Sequence, residues 1–149
     1  MILYRFSPEK YSNDLSGKGA RQRGGRWNSI GLPVVYTSTT ISLSLLELLV
    51  YNASYEELMN HYLLRIEVPD IYTGNLSLIS VKSGWQNDLE YSRFIGDSFL
   101  KLKKSLLLRV PSAIIPEENN ILINPLHPDS KKIKIITASP FQFDSRLFK

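Results

Sequence analysis

The stretch GGRWNSIGLPVVYTSTTISLSLLELL, Gly24 to Leu49, constrains this chain more than any other. It sets a glycine-flanked arginine, a short strand and a very apolar helix with one carboxylate in direct succession. Gly24 and Gly25 are free to take φ > 0 and let backbone approach a ligand closely. Arg26 follows on that uncovered loop, and a guanidinium binds phosphate or carboxylate bidentately. Asn28 to Gly31 reads as a turn. Pro33 to Thr37 (PVVYT) is β-branched and aromatic, as strands prefer.

Thr39 and Thr40 are an N-cap pair for a helix running to Tyr51. Leu43, Leu46 and Val50 fall on one helical face, and Leu45, Leu48 and Leu49 extend it most of the way round. A helix so apolar is expected to be buried. Glu47 is then the anomaly, because a buried carboxylate is costly unless bonded. Either it meets solvent or a structural arginine, or it faces a cleft beside Arg26 and Tyr36.

The bulk numbers exclude much. A chain of 149 residues with 43% hydrophobic content is long and apolar enough for one packed domain, residues 1–149. Its formal charge of +4 favours acidic or phosphate-bearing partners. No dense basic stripe with interleaved aromatics argues for direct nucleic-acid binding. There is no cysteine, so disulfides and thiolate chemistry are excluded. His61 and His127, the only histidines, have no metal-site spacing, and no GxSxG elbow supports a serine triad. The sequence shows no signal-peptide h-region or membrane-spanning run, so a cytoplasmic location is the expectation.

The rest of the chain reads as α+β, with short, mostly antiparallel strands and a few helices. Strands are expected at Ile2–Phe6, Tyr62–Val68, Leu76–Val81, Leu106–Val110, Asn120–Ile123 and Lys132–Thr137, with Ala113–Ile115 resuming after a break at Pro111-Ser112. The alternation of Lys132–Thr137 suits an edge strand. A helical turn is expected at Tyr55–Asn60. A helix is expected over Asp88–Lys104, with Leu89, Phe94, Phe99 and Leu102 as core positions. Arg5 is either an ion-pair residue at the core edge or a cleft residue. The loop from Ser7 to Arg23 is either a solvated basic loop, which is the reading for Arg23, or one whose Lys18 and Arg21 help hold phosphates, and the sequence does not choose between these for Lys18 and Arg21. The segment 139–149 is a tail able to pack through Phe141, Phe143 and Phe148.

The string GGRWNxxGxPVVYTSxxxSLxxLE, followed by Val110-Pro111-Ser112 and by Glu118-Asn119-Asn120-Ile121-Leu122-Ile123-Asn124-Pro125, resembles the RES domain, named for its Arg, Glu and Ser. The likeness runs from about Leu3 to Pro128. It implies a fold related to ADP-ribosyltransferase toxins and the activity of a bacterial toxin that destroys NAD⁺, by hydrolysis or by phosphorolysis with inorganic phosphate. NAD⁺ is then a substrate, with no prosthetic group. Arg26, Glu47 and Ser112 become the catalytic candidates. Gly25, Trp27, Asn28, Tyr36, Arg5 and Asn124 become candidates for holding the dinucleotide. The resemblance also implies an Xre-type antitoxin that blocks the cleft. Transfer of ADP-ribose to a protein, and a non-catalytic binding module, are the alternatives.

Overall fold

The computed structural model describes residues 1–51 and 54–148. Six antiparallel strands form one sheet in the order β4-β5-β2-β1-β3-β6. They are β1 (Ile2–Pro8), β2 (Val35–Ser38), β3 (His61–Glu67), β4 (Leu107–Pro111), β5 (Asn119–Ile123) and β6 (Lys134–Pro140). Among the described residues the α-helices are α1 (Lys18–Arg23), α2 (Ile41–Tyr51), α3 (Tyr55–Leu58) and α4 (Leu89–Leu102). The α+β expectation holds.

Strand alternation distributes the core over both faces. Ile121 and Ile123 join Leu3, Val35, Leu64 and Ile66 in one cluster. Leu122, between them, joins Trp27, Val34, Trp85, Leu100 and Val110 in a second. Phe6, Leu58, Leu63 and Phe143 form a third, against which Phe141 and Phe148 pack. The tail is therefore docked as far as Phe148; Lys149 lies outside the described residues.

One irregularity positions the site. β1 pairs with β3 along its full length, but with β2 only at Tyr4↔Ser38. Beyond that pair the two strands part. Arg5 spans the gap, its Nη1 donating to the Tyr36 carbonyl at 3.0 Å. This is the cleft alternative for Arg5.

Several expectations fail for identifiable reasons. Leu76–Val81 is not a strand. It makes only an isolated parallel bridge to the edge strand β4, Leu78↔Arg109, with the Ile79 amide donating to the Arg109 carbonyl at 3.1 Å. Ala113–Ile115 does not resume β4; the Ser112 hydroxyl accepts from the Ile114 and Ile115 amides and turns the chain. Helix α2 is capped by Thr40, as expected, through the Leu43 amide at 3.1 Å. It is not buried all round, however: Leu46, Val50 and Tyr51 are exposed. Helix α4 buries a different face from the one its large residues suggest. Leu89, Phe94 and Leu102 face solvent, and Ser92, Gly96 and Leu100 face inward, with Phe99 beside them. The reason is close approach. A Cβ on Gly96 would overlap the Trp27 carbonyl, so only the small-residue face fits against that loop.

Candidate active site

The parted strands, the glycine loop and α2 enclose a cavity of about 500 Å³, within the range of small-ligand sites. It has two unlike walls.

The first wall is the glycine loop. Gly24 ends α1 at φ 71° and ψ 169°, a positive-φ extended conformation open essentially only to glycine. Gly25 is needed for space instead: a Cβ there would come within 2.6 Å of the Tyr36 hydroxyl. That hydroxyl donates to Asn28 Oδ1 at 2.6 Å and accepts from the Trp27 amide at 3.0 Å. Burial pushes its pKa well above the ordinary value, so it remains a neutral donor. Asn28 is fully buried, and its Nδ2 donates to the Ala20 and Leu32 carbonyls at 2.8 and 2.9 Å. It braces the loop and does not line the cavity.

Helix α4 clamps the same loop from outside. Ser92 Oγ donates to the Arg26 carbonyl at 2.6 Å, and Arg93 Nε to the Gly25 carbonyl at 2.8 Å. Asp97 accepts from the Ser29 amide at 2.8 Å and from its hydroxyl at 2.5 Å. The inward small-residue face of α4 thus serves to hold Arg26. The Arg26 guanidinium donates to the Gln86 carbonyl at 2.9 Å and lies 5.6 Å from the Trp85 ring centroid. Trp27 is buried against Trp85, with ring centroids 5.3 Å apart, and is one of the residues lining the cavity.

The second wall is the acid. Glu47 is the single carboxylate lining the cavity among the described residues. Its Oε1 accepts from Ser112 Oγ at 2.9 Å and from Asn120 Nδ2 at 2.5 Å. Asn120 is oriented in turn by Ser38 Oγ, which donates to its Oδ1 at 2.7 Å. Both donors fall on one oxygen, and among the described residues no protein group bonds Oε2. A carboxylate held this way is fixed in place with one oxygen left for a ligand. Of the two readings of Glu47, the structure gives the cleft. The same cavity is lined by Arg5, Arg23 and Arg26, none within ion-pair distance of a carboxylate among the described residues.

The structure therefore gathers Arg26, Glu47, Tyr36, Gly25, Arg5 and Trp27 around one cavity. Ser112 is fully buried behind Glu47, its hydroxyl occupied by three partners, so it positions the acid and does not face a ligand. Asn124 is corrected outright. It is buried away from the cavity, its Nδ2 donating to the Leu100 carbonyl at 3.2 Å and its Oδ1 accepting from the Leu126 amide at 3.0 Å. Lys18 and Arg21 do not line the cavity, whereas Arg23 does. Sequence reasoning also missed Asn120 and His61. Asn120 carried a signal, being a polar residue on the same sheet face as Leu122. His61 carried none. It is buried at the cavity edge with Nδ1 unbonded, and burial lowers its pKa, favouring the neutral ring.

The sequence model of the RES domain matches residues 2–144. The chain belongs to the RES domain family. It is 39% identical over 153 residues to Toxin Res of Photorhabdus laumondii, covering 100% of this chain and 98% of that protein. It is 37% identical to the Prs ADP-ribosylating toxin of a Sphingobium species, covering 93% and 89%. Its fold matches a chain in the crystal structure of the M. tuberculosis MbcT-MbcA toxin-antitoxin complex, with a TM-score of 0.68 over 95% of this RES chain and 84% of the other, at 19% identity.

Proposed function

We propose that this RES protein is the toxin of a toxin–antitoxin pair and acts by cleaving the nicotinamide–ribose bond of NAD⁺. One observation carries the reading: a single hydrogen-bonded carboxylate, Glu47, shares one cavity with three arginines that form no ion pair among the described residues. That charge layout suits a ligand with anionic phosphates at one end and a centre of developing positive charge at the other. NAD⁺ has both. Nicotinamide is a cationic leaving group and departs neutral with the electron pair of the C–N bond. No general acid is required, in keeping with a cavity whose lining histidine has its pKa lowered by burial. The ribosyl carbon becomes oxocarbenium-like, and a carboxylate against it stabilises that charge, as in glycoside cleavage. Preorganised electrostatic groups of this kind contribute about 3–4 kcal/mol. Water or inorganic phosphate then bonds the ribosyl carbon, and the proton lost from water passes to Glu47 or solvent.

The names of the relatives support the toxin assignment, and that of the Sphingobium protein favours a second reading, transfer of ADP-ribose to a protein. The partner is proposed to be an Xre-type antitoxin that closes the cavity. Exposed Leu46, Val50 and Tyr51 give α2 an apolar surface beside the opening. Purified protein given adenylate-labelled NAD⁺ decides among the acceptors. Free ADP-ribose indicates hydrolysis, ADP-ribose-1″-phosphate indicates phosphorolysis, and protein-bound label indicates transfer. Intact NAD⁺ after prolonged incubation, with and without phosphate, refutes the reading.

A further inference from the structure

Arg26 lines the cavity, but the two groups that hold its guanidinium do not. The Gln86 carbonyl accepts from its Nη1 at 2.9 Å, and the guanidinium carbon lies over the Trp85 ring, 5.6 Å from the centroid. A cation within about 6 Å of an indole face is attracted by the ring, more strongly where water is partly excluded. Trp85 is 5% exposed and Arg26 is half-buried. The contact joins segments 60 residues apart, so it is a product of the fold and not of local sequence.

The holding segment is itself fixed. Gly84 takes φ 76° and ψ 12°, a left-handed turn, and opens a 3-10 turn over Trp85–Asn87. The Trp85 amide donates to the Lys82 carbonyl at 3.3 Å, and the Asp88 amide to the Trp85 carbonyl at 3.0 Å. Asp88 then caps α4 through the Tyr91 amide at 3.0 Å and pairs with Lys82. The Trp85 ring packs on Trp27, in the cluster that also contains Leu100 and Val110. A packed ring and a backbone carbonyl, anchored at the start of α4, thus meet a long and flexible side chain. Ordering that side chain beforehand removes an entropy cost that a ligand would otherwise bear. The carbonyl takes one of five guanidinium donors and is the only side-chain hydrogen bond of Arg26 among the described residues, which leaves the others for a ligand.

We propose that Trp85 is a positioning residue for ligand binding: it lies behind the cavity wall and acts by presetting the Arg26 guanidinium. The choice of ligand, and its contact with Arg26, rest on the NAD⁺ reading; the test concerns binding and needs no turnover.

The experiment is calorimetric titration of the purified full chain with ADP-ribose, for the wild type, Trp85→Leu, Trp85→Phe and Leu100→Ala. Leu100 is a buried member of the same core cluster and does not line the cavity, so it controls for lost packing. Thermal melts accompany each titration. Trp85→Leu is expected to weaken ADP-ribose binding about tenfold, and Trp85→Phe, which restores an aromatic face, to recover most of that loss. Leu100→Ala is expected to lower Tm and keep the wild-type affinity. A second arm does not depend on truncating a core side chain: 5-fluorotryptophan in place of both tryptophans keeps the ring shape and weakens its negative face. It is expected to weaken binding about twofold to threefold. The inference is overturned if the wild type does not bind ADP-ribose, if folded Trp85→Leu or the fluorinated protein binds it as the wild type does, or if Leu100→Ala loses as much as Trp85→Leu. The two readings fail separately. Trp85-dependent ADP-ribose binding by a protein that leaves NAD⁺ intact removes the cleavage reading alone. NAD⁺ cleavage with unchanged KM in Trp85→Leu removes the positioning role alone.

Discussion

Helices α2 and α4 flank the same site and use their side chains in opposite ways. Helix α2 is almost wholly apolar, yet it exposes Leu46, Val50 and Tyr51 and turns its single carboxylate into the cavity. Helix α4 has large apolar residues to bury and exposes Leu89, Phe94 and Leu102 instead, turning Ser92, Gly96 and Asp97 toward the glycine loop. Hydrophobicity alone predicts neither face. In α4 the deciding effect is steric: the loop backbone sits so near the helix that only glycine fits at the contact. In α2 it is polar satisfaction. Half-buried Glu47 is bonded by Ser112 and by Asn120 of β5, which ties that side of the helix to the sheet. One helix presents the cavity's carboxylate, and the other holds the loop that carries Arg26.

This contrast can be broken at either helix. Gly96→Ala should have the largest effect on stability. Overpacking costs typically about 1–3 kcal/mol, occasionally more, and this contact is with backbone that cannot swing aside. The expected outcome is a clear loss of Tm in a melting experiment; a wild-type Tm would show that the loop moves freely away from α4. Ser112→Ala tests the α2 side. It removes one of two donors to Glu47, and loss of a hydrogen bond to a charged group is worth about 1.5–3 kcal/mol. NAD⁺ turnover should fall about tenfold to a hundredfold in kcat with ADP-ribose affinity little changed. A loss in affinity alone would mean that Ser112 contacts the ligand directly. Phe94→Ser should change least. Phe94 is 72% exposed, and surface substitutions usually stay within about 0.5 kcal/mol. A large drop in Tm would place Phe94 back in the core.

The same contrast explains what the sequence could convey. The glycine loop, the Thr40 cap and the six strands were legible because turn chemistry, capping and period-two alternation are local signals. Two of them are entered two residues later than expected, β2 at Val35 and β6 at Lys134. The buried face of α4 was not, since it depends on the distance to Trp27, a residue 69 positions away. Asn120 was missed for a related reason. Its partner, Glu47, meets it only once β5 and α2 are brought together in the assembled fold. Asn124 was misread because an asparagine before proline looks the same in sequence whether it binds a ligand or ties two carbonyls and an amide together.

The central claim concerns the lone acid, and one assay addresses it directly: nicotinamide release from NAD⁺ by the purified wild type and by Glu47→Gln, with ADP-ribose affinity measured on both. Glutamine keeps the shape of the side chain and removes its charge. The account predicts release by the wild type, a loss of at least about a hundredfold in the variant, and affinities that agree within about threefold. Equal rates in the two proteins would contradict it.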